Sequence, residues 1–317
     1  MVAQLASVVI PTFNGAHLLP ACLDSLVNQS YPNVEVIVAD GASTDTTPEL
    51  LAHRYPCVRL LRLQRNLGFT GNVNAGLRAA RGDALCLLNN DAQADPDWVA
   101  ACVETLQLHA EVGSVASKVL YADGRTINSA GDQFCRNGAA RQRGNGQPDS
   151  AEWDAPAAVF GASGGAAAYR RTMLEDVGLL DEYFFMYLED VDLAFRAQLR
   201  GWSSRYEPAA RVRHVGGASG GGKLESFYNG RNLIRLLAKD LPSSLLPRML
   251  PAIVRYQAQR ARAAAAAWRG AAARATLRGQ TVGLAELPRH LADRAPVQRG
   301  KRVSDEAIYA LLSPRSA

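Results

Sequence analysis

The chain contains no apolar run of about 18 residues, the length at which a membrane-spanning helix is suspected, and no basic stretch precedes its short N-terminal apolar segment. Neither a membrane span nor a signal peptide is therefore predicted. Cysteine is scarce: the five residues are scattered and never spaced as Cys-x-x-Cys. This argues against a disulfide framework and a zinc site, and it indicates the reducing environment of the cytoplasm.

The overall composition is typical of a soluble globular protein, with 317 residues of which 48% are hydrophobic and 21% are charged. This size favours one large domain with an appendage. We place the large domain at residues 1–240, in two halves (1–120 and 121–240), and a basic helical extension at residues 241–317.

Short β-branched runs alternate with helical patterns along the first 120 residues. The predicted strands are residues 7–10, 34–39, 58–62 and 84–88, and the predicted helices are residues 18–28, 46–54 and 71–80. Near-continuous apolar strands separated by helices imply an α/β fold, with a mostly parallel sheet covered by helices on both faces. Ligands of such sheets bind at the carboxyl ends of the strands.

Polar or small residues follow each of these four strands. They are Pro11-Thr12-Phe13-Asn14, Asp40-Gly41, Asn66-Leu67-Gly68 and Asn89-Asn90-Asp91. Turn chemistry or helix capping explains any one of these groups. Four such groups at matching positions favour a binding crevice at one edge of the sheet.

Three carboxylates, Glu189, Asp190 and Asp192, stand within four positions directly after an apolar run at residues 184–188. Carboxylates beside an apolar wall repel one another and lose hydration, which raises the pKa of at least one of them and suits a general base. The alternative is a helix N-terminus, where the acids complement the helix dipole.

Taken together, these motifs resemble the inverting glycosyltransferases of family 2, which have the GT-A fold and use nucleotide sugars. The segments that carry the resemblance are residues 8–14, 38–45, 66–76, 89–91 and 161–170, in the family's order. Segment 66–76 is similar to the rhamnosyltransferase-like branch. The resemblance implies a Rossmann-like catalytic domain over residues 1–240, with a nucleotide-binding half (1–120) and an acceptor-binding half (121–240), followed by a helical C-terminal segment.

The resemblance also implies roles for residues on the donor side. Asp40 would contact the base, and Asp91 would hold a divalent cation, Mg²⁺ or Mn²⁺, with His214 as a second ligand. Asn89 stands where the family carries the first acid of Asp-x-Asp, so the site has one formal charge fewer and a lower expected metal affinity. The residues expected to bind the nucleotide sugar are Pro11, Thr12, Asn14, Asp40, Asn66, Gly68, Asn74, Asn89, Asn90 and Arg231.

On the acceptor side, Gly164 and Gly165 belong to a glycine-rich segment like the one that lies under the transferred sugar in the family. Asp190 would be the base that deprotonates the acceptor hydroxyl. Glu189 or Asp192 would orient that base or bind the sugar. Arg231, in a segment that resembles the family's Tyr-x-x-Arg-Asn, would offer its guanidinium to diphosphate oxygens.

The implied activity is inverting transfer of a sugar, with dTDP-rhamnose as the suggested donor, to a saccharide or polyprenyl-linked acceptor in cell-surface polysaccharide synthesis. Two alternatives stay open. A GT-A nucleotidyltransferase is disfavoured because no Gly-rich loop with Lys or Arg follows the first strand. A non-catalytic scaffold that binds nucleotide sugars is favoured by Asn89.

The C-terminal extension is basic, because residues 251–302 contain eleven Lys or Arg against two acids. A helical wheel over residues 255–278 leaves one arc without arginine, which predicts a basic helix with a thin apolar face. That face holds Ala258, Ala261, Ala265, Trp268 and Ala272. No nucleic-acid-binding motif accompanies it. The helix would either bind an anionic membrane surface, placing the protein peripherally at the inner membrane face, or pack on the catalytic domain.

Overall fold

The computed structural model describes residues 4–214 and 222–314. The strands are β1 Ala6–Thr12, β2 Val34–Asp40, β3 Arg59–Arg62, β4 Ala84–Leu88, β5 Ala92–Ala94, β6 Val112–Tyr121, β7 Ile127–Ser129, β8 Asp132–Phe134, β9 Ala140–Gln142, β10 Ala157–Val159, β11 Ala166–Arg170 and β12 Ser203–His214. The helices are α1 Leu19–Val27, α2 Thr47–Arg54, α3 Gly68–Ala79, α4 Trp98–Leu108, α5 Arg171–Val177, α6 Glu189–Arg200, α7 Gly222–Asp240, α8 Leu246–Ala266, α9 Ala271–Ala285, α10 Leu287–Ala292, α11 Arg294–Arg299 and α12 Asp305–Leu311.

One large sheet organises the described part of the chain, with the strand order β10-β12-β6-β11-β4-β1-β2-β3. Strand β1 runs parallel to β2 and β4, and β2 runs parallel to β3. The predicted parallel sheet is therefore confirmed for the first four strands. Strand β11 is antiparallel to both β4 and β6, and it joins the second half of the domain to the first.

Helices cover both faces of the sheet, because successive side chains of each buried strand point to opposite sides. On β1, Val8 and Ile10 pack with α1, α2 and α4 in one apolar cluster, whereas Val9 packs with α3, α5 and α6 in another. Both faces of the central strands are thus buried, which explains why their sequences are nearly continuous apolar runs. Because helices cover both faces, polar side chains gather at the ends of the strands.

The C-terminal extension packs on the sheet domain. Leu245, Met249 and Ile253 at the start of the extension share a buried cluster with Phe184 and Phe195 of the main domain. Ile308 and Leu312, from the other end of the extension, join the same cluster. Of the two arrangements left open by the sequence, packing on the domain is therefore observed. No helix in the described ranges has the length and apolarity needed to cross a membrane.

The prediction of one continuous basic helix over residues 255–278 is wrong. Helix α8 ends at Ala266, and α9 begins at Ala271 after a turn that ends at Gly270. The side chains of Trp268 and Ala272, which the helical wheel placed on the apolar face, are exposed. A helical wheel assumes unbroken helical geometry, so the turn rotates everything after it away from the predicted face.

Candidate functional site

A cavity of about 650 Å³ opens beyond the carboxyl end of β4. The structure brings seven of the predicted site residues to its wall: Asn89, Asp91, Gly164, Gly165, Glu189, Asp190 and His214. They come from four separate stretches of sequence, so the cavity exists only in the folded chain. Its volume lies within the range of about 300–1,000 Å³ that is usual for small-ligand pockets.

A second group of predicted residues surrounds the ends of β1 and β2. The Asn90 side chain donates a hydrogen bond to Thr12 Oγ1 at 2.9 Å, and the backbone nitrogen of Asn14 donates to Ser43 Oγ at 2.7 Å. Asp40 is fully buried, and its Oδ1 accepts from the Ser43 amide at 3.0 Å. Asp40 Oδ2 has no hydrogen-bond partner among the described residues, although Arg62 Nε lies 3.9 Å away. A buried acceptor without a donor points to a ligand group such as a base N–H.

The segment at residues 66–76 closes one side of this crevice. Asn66 Oδ1 accepts from the Gly68 amide at 2.9 Å. Gly68 has φ +75° and lies against Phe185, where an added Cβ would stand 2.4 Å from the ring. Glycine is therefore required here both for the backbone and for the close approach.

Asn74 does not reach the crevice, contrary to the prediction. Its amide group is buried and pairs with the backbone of Leu180, with Nδ2 donating to the carbonyl at 2.8 Å and Oδ1 accepting from the amide at 3.1 Å. It lies on the side of α3 that faces the protein interior. Asn74 therefore braces the loop before the acidic motif. Pro11 is likewise buried within β1.

The acidic pair stands at the start of α6. Asp190 Oδ2 accepts from the Gly164 amide at 2.8 Å, and Oδ1 accepts from the Val191 amide at 2.8 Å. An added Cβ at Gly164 would lie 3.4 Å from Asp190 Oδ2, so the glycine allows the backbone to approach the carboxylate closely.

The two acids of the pair differ in their electrostatics. Burial raises the pKa of Asp190, but the backbone N–H donors oppose this shift. Burial and the neighbouring Asp190 raise the pKa of Glu189 well above its usual range, and Glu189 Oε2 has no hydrogen-bond partner in the described ranges. The backbone donors therefore favour the charged form of Asp190, whereas burial and the charge of Asp190 disfavour the charged form of Glu189.

A third acid, Asp132 of β8, lines the same cavity and was missed by sequence reasoning. It is 3% exposed, and burial, followed by the charges of Asp190 and Glu189, raises its pKa well above the usual range. Its Oδ2 and the buried Tyr169 hydroxyl lack hydrogen-bond partners among the described residues. No local sequence signal marks Asp132, because it lies in a three-residue strand far from the acidic motif.

Replacing Asp132 with asparagine should raise the melting temperature at pH 7 by about 2 °C. The pKa of Asp132 is raised on folding, so ionisation costs stability at any pH above the value of the unfolded chain, near 4. A neutral isostere removes this cost, and the gain should vanish as the pH falls below about 4. Scanning calorimetry across pH measures both effects.

Asp154→Asn provides the control. Its carboxylate pairs with Lys118 Nζ at 2.7 Å, and the hydrogen bond from Lys118 lowers the pKa of Asp154. That variant should not gain stability at pH 7. Equal melting temperatures for wild type and Asp132→Asn at every pH would refute the assigned ionisation cost.

Asp192, predicted to orient the base or bind the sugar, does not line the cavity. Its carboxylate is fully buried and accepts from Arg196 Nε at 2.8 Å and from Lys239 Nζ. Although burial raises the pKa of Asp192, Lys239 and Arg196 lower it below its usual range. Two residues along a helix rotate a side chain by about 200°, which carries Asp192 away from Asp190 and towards α7.

Asp192→Asn should therefore act on stability. The change leaves two buried cations with one carboxylate fewer, and we expect the free energy of unfolding to fall by about 3 kcal/mol. Urea unfolding measures this loss. The control is Glu306→Gln, which breaks the exposed pair with Arg248 and should cost less than about 1 kcal/mol. A full-stability Asp192→Asn protein without activity would instead give Asp192 a chemical role.

Arg231 also differs from its predicted role. Its Nε donates to Glu286 Oε2 at 3.0 Å, its Nη1 donates to the Tyr183 carbonyl at 3.1 Å, and its guanidinium lies over the Tyr183 ring. These contacts hold it away from the cavity wall, so it braces the segment that precedes the acids.

Asn232 clamps the same segment. Its Nδ2 donates to the carbonyls of Phe184, Met186 and Tyr187 at 3.0, 2.9 and 2.9 Å. The segment needs such a restraint, because Phe185, Tyr187 and Leu188 have φ of 66°, 67° and 69°, a region unfavourable to side-chain-bearing residues. The clamp fixes the approach of the chain to Glu189 and Asp190.

The pair predicted to bind metal is formed by two strands. Asp91 follows β4, and His214 ends β12, where it pairs with Ala92 of β5. This register places His214 Nε2 3.0 Å from Asp91 Oδ1. The Gly/Ser-rich segment that follows His214 in the sequence, residues 215–221, lies outside the described residues.

Asp91 and His214 are few ligands for a cation, and they fit one that completes its coordination with the phosphate oxygens of a bound nucleotide. In the described part of the chain, no cluster of three or more His, Cys, Asp or Glu side chains is arranged for a metal. Mg²⁺ commonly takes one or two protein ligands and completes its shell with phosphate oxygens and water. Asn89 Oδ1, buried and unpartnered within the described ranges, adds a neutral acceptor to the same wall.

Comparison with known proteins places these features in a family. The sequence model of "Glycosyl transferase family 2" matches residues 7–178. The N-acetylglucosaminyl-diphospho-decaprenol L-rhamnosyltransferase of Mycobacterium tuberculosis is 32% identical over 230 residues, which cover 65% of this chain and 75% of the relative. The succinoglycan biosynthesis protein ExoO of Rhizobium meliloti is 35% identical over 121 residues, which cover 38% of this chain and 35% of the relative.

Among solved structures, the mannosyltransferase PcManGT from Pyrobaculum calidifontis, in complex with GDP-Man and Mn²⁺, superposes with a TM-score of 0.56 at 21% identity. The match covers 95% of this chain and 86% of that chain. At this identity the likeness concerns the fold, and it confirms the predicted GT-A architecture.

Proposed function

The chain belongs to glycosyltransferase family 2, in its rhamnosyltransferase-like branch, and we propose that it transfers a sugar from a nucleotide-sugar donor to an acceptor hydroxyl with inversion of the anomeric centre. One observation carries the proposal. A single cavity is lined by a backbone-oriented carboxylate, Asp190, and by the Asp91–His214 pair suited to a diphosphate-bound cation.

Asp190 is the proposed base. The Gly164 and Val191 amides fix both of its oxygens, so the carboxylate keeps one orientation towards the cavity. It accepts the proton of the acceptor hydroxyl as that oxygen forms a bond to the anomeric carbon, and the nucleoside diphosphate leaves from the opposite face with the bonding electrons. Glu189 and Asp132 line the same cavity, and the raised pKa of each favours the protonated form, which donates a hydrogen bond to a sugar oxygen.

We further propose that Asp91 and His214 hold Mg²⁺ or Mn²⁺. Such a cation would neutralise the negative charge that develops on the departing diphosphate. Asp40, with its unpartnered Oδ2 at the end of β2, is the proposed acceptor for the base of the nucleotide.

Rhamnose is the proposed sugar, with dTDP-rhamnose as donor, because the Mycobacterium tuberculosis relative is named as an L-rhamnosyltransferase acting on a decaprenyl-diphosphate-linked sugar. A polyprenyl-linked saccharide is accordingly the proposed acceptor. The succinoglycan biosynthesis relative supports a place in cell-surface polysaccharide synthesis. Such an acceptor would bring the protein to the inner face of the membrane.

Product formation tests the proposal. Purified protein is incubated with a panel of nucleotide sugars and a lipid-linked saccharide, with and without Mn²⁺, and both the released nucleoside diphosphate and the glycosylated acceptor are quantified. We expect transfer from one donor, abolished by Asp190→Asn. A protein that binds a nucleotide sugar but forms no product with any acceptor would be the non-catalytic scaffold.

A further inference from the structure

A second cavity, of about 750 Å³, lies outside the catalytic site between α7 and α9. Its apolar wall is formed by Leu224, Phe227 and Tyr228 on α7 and by Ala271 and Ala275 on α9. Leu224 is 43% exposed, a large apolar side chain that faces solvent in the described structure. We call this cavity the α7–α9 groove.

The two helices pack closely from Phe227 to Ile234 of α7 and from Thr276 to Gly283 of α9, and the groove lies on the N-terminal side of this contact. An added Cβ at Gly279 would lie 2.2 Å from the Phe227 carbonyl oxygen, and one at Gly230 would lie 2.8 Å from the Thr276 carbonyl oxygen. These glycines let the two backbones meet. Gly283, one turn later, meets Arg231, so the helices run in the same direction. The groove occupies the side of the crossing where both helices have their N-termini.

The rim of the groove is positively charged. Lys223, Arg274 and Arg278 line it, and among its described lining residues there is no Asp or Glu. Arg278 lies 5.6 Å from the centre of the Phe227 ring, which combines a cation with the apolar wall. The N-terminal ends of α7 and α9 add partial positive charge. An apolar floor with a cationic rim is complementary to a ligand with a hydrocarbon chain and an anionic head.

The groove adjoins the catalytic cavity across α7. Glu225 and Asn229 line the catalytic cavity, whereas Leu224 and Tyr228 line the groove. The Tyr228 ring stacks on Phe185 at 5.4 Å, in the segment that leads to the acidic pair. One ligand can therefore contact both sites if its apolar and reactive parts are adjacent.

We propose that the α7–α9 groove binds the isoprenyl chain next to the diphosphate of a lipid-linked acceptor, with Lys223, Arg274 and Arg278 facing the diphosphate. This inference rests on the proposed function for the identity of the acceptor, but it assigns a specific binding surface. The saccharide end of the same molecule then reaches Asp190 in the neighbouring cavity.

Direct binding tests the groove without requiring catalysis. Farnesyl diphosphate is titrated into the full chain by calorimetry, with inorganic diphosphate as the head-group control. Ala271→Phe, which fills the groove, should weaken farnesyl diphosphate binding by about tenfold or more, the loss expected when about two buried methylene groups lose their contacts. Ala272→Phe adds the same ring at an exposed position of α9 outside the groove and should leave binding unchanged.

The charge on the rim is tested separately. Lys223→Glu combined with Arg278→Glu should weaken farnesyl diphosphate binding at least as much as Ala271→Phe, and it leaves in place Arg274, which donates to the carbonyls of Trp268 and Arg269 in the α8–α9 turn. The double variant Arg255→Glu and Arg262→Glu, on exposed α8 surface, is the matched control. Equal affinity of wild type and all variants, or equal affinity for farnesyl diphosphate and inorganic diphosphate, overturns the proposal. The groove would then be covered by another occupant, such as a second copy of the chain.

Transfer assays keep this inference distinct from the proposed function. With a prenyl-linked acceptor and an acceptor that lacks the prenyl chain, Ala271→Phe should raise KM about tenfold for the prenyl-linked acceptor only. If wild type transfers sugar but Ala271→Phe affects both acceptors equally, the groove assignment is wrong and the proposed function stands. If no sugar is transferred but the binding differences are found, the groove binds isoprenyl diphosphates and the proposed function fails.

Discussion

Asp190→Asn is expected to lower turnover by about 10²- to 10⁴-fold. The amide has the shape of the carboxylate but cannot accept the acceptor proton. Asparagine keeps the size of the side chain, but only one of the Gly164 and Val191 amides can still donate to its single oxygen, because the two amides contact different oxygens of Asp190. Steady-state kinetics measure the loss, and thermal shift with the nucleotide sugar measures donor binding, which should be nearly unchanged.

The rival base is Glu189, its neighbour in sequence. Burial and the charge of Asp190 raise the pKa of Glu189 well above its usual range and favour its neutral form, so the neutral Glu189→Gln should cost much less activity. In wild type, activity should fall at acid pH as Asp190 protonates, at a higher pH than for an ordinary aspartate since burial raises its pKa. An inactive Glu189→Gln beside an active Asp190→Asn would reverse the two roles.

Asp91→Asn should lower turnover by more than about 100-fold, since even residues that only support metal ligands typically account for 10- to 100-fold in metal affinity or activity. The change removes the carboxylate that lies 3.0 Å from His214 and leaves no acid in the pair. Part of the loss should be recovered at high Mn²⁺, because a weaker site fills by mass action.

Asp95→Asn is the control for this variant. It removes an acid close in sequence that pairs with Arg211 rather than with His214, and it should retain most of the activity. Full activity of both Asp91→Asn and the EDTA-treated wild type would show that no cation is held at this pair. If both variants melt at the temperature of the wild type, the loss of activity in Asp91→Asn is due to the site and not to a change in the fold.

The fold of the first half was predictable because its strands are buried on both faces. The apolar runs of β1, β2 and β4 are bounded within two residues of the structure, and the polar residues after them do gather at one edge. The antiparallel strand β11 was not predicted as such, because strand direction depends on distant partners.

The positions of Asp91, Gly164 and Asp190 in the cavity wall were predictable from the sequence, because each lies at the end of a strand or the start of a helix. The sequence did not reveal which way a side chain points, and two predicted site residues were wrong for this reason. Asp192 and Asn74 lie in the expected elements but face the interior, where buried partners hold them. Asp132 reaches the cavity from a short strand that no sequence pattern connects to the acidic motif.

The clamp by Asn232 has a consequence for which substitutions the chain tolerates. All three of its contacts at the acidic segment go to backbone carbonyls, which every amino acid provides. Substitutions at residues 184, 186 and 187 therefore leave these hydrogen bonds in place. Position 232, in contrast, requires a side chain that carries an N–H donor at the length of asparagine. Aspartate, although isosteric, would point acceptors at three carbonyl oxygens. Among homologues, variation should concentrate in the segment and spare the residue that holds it.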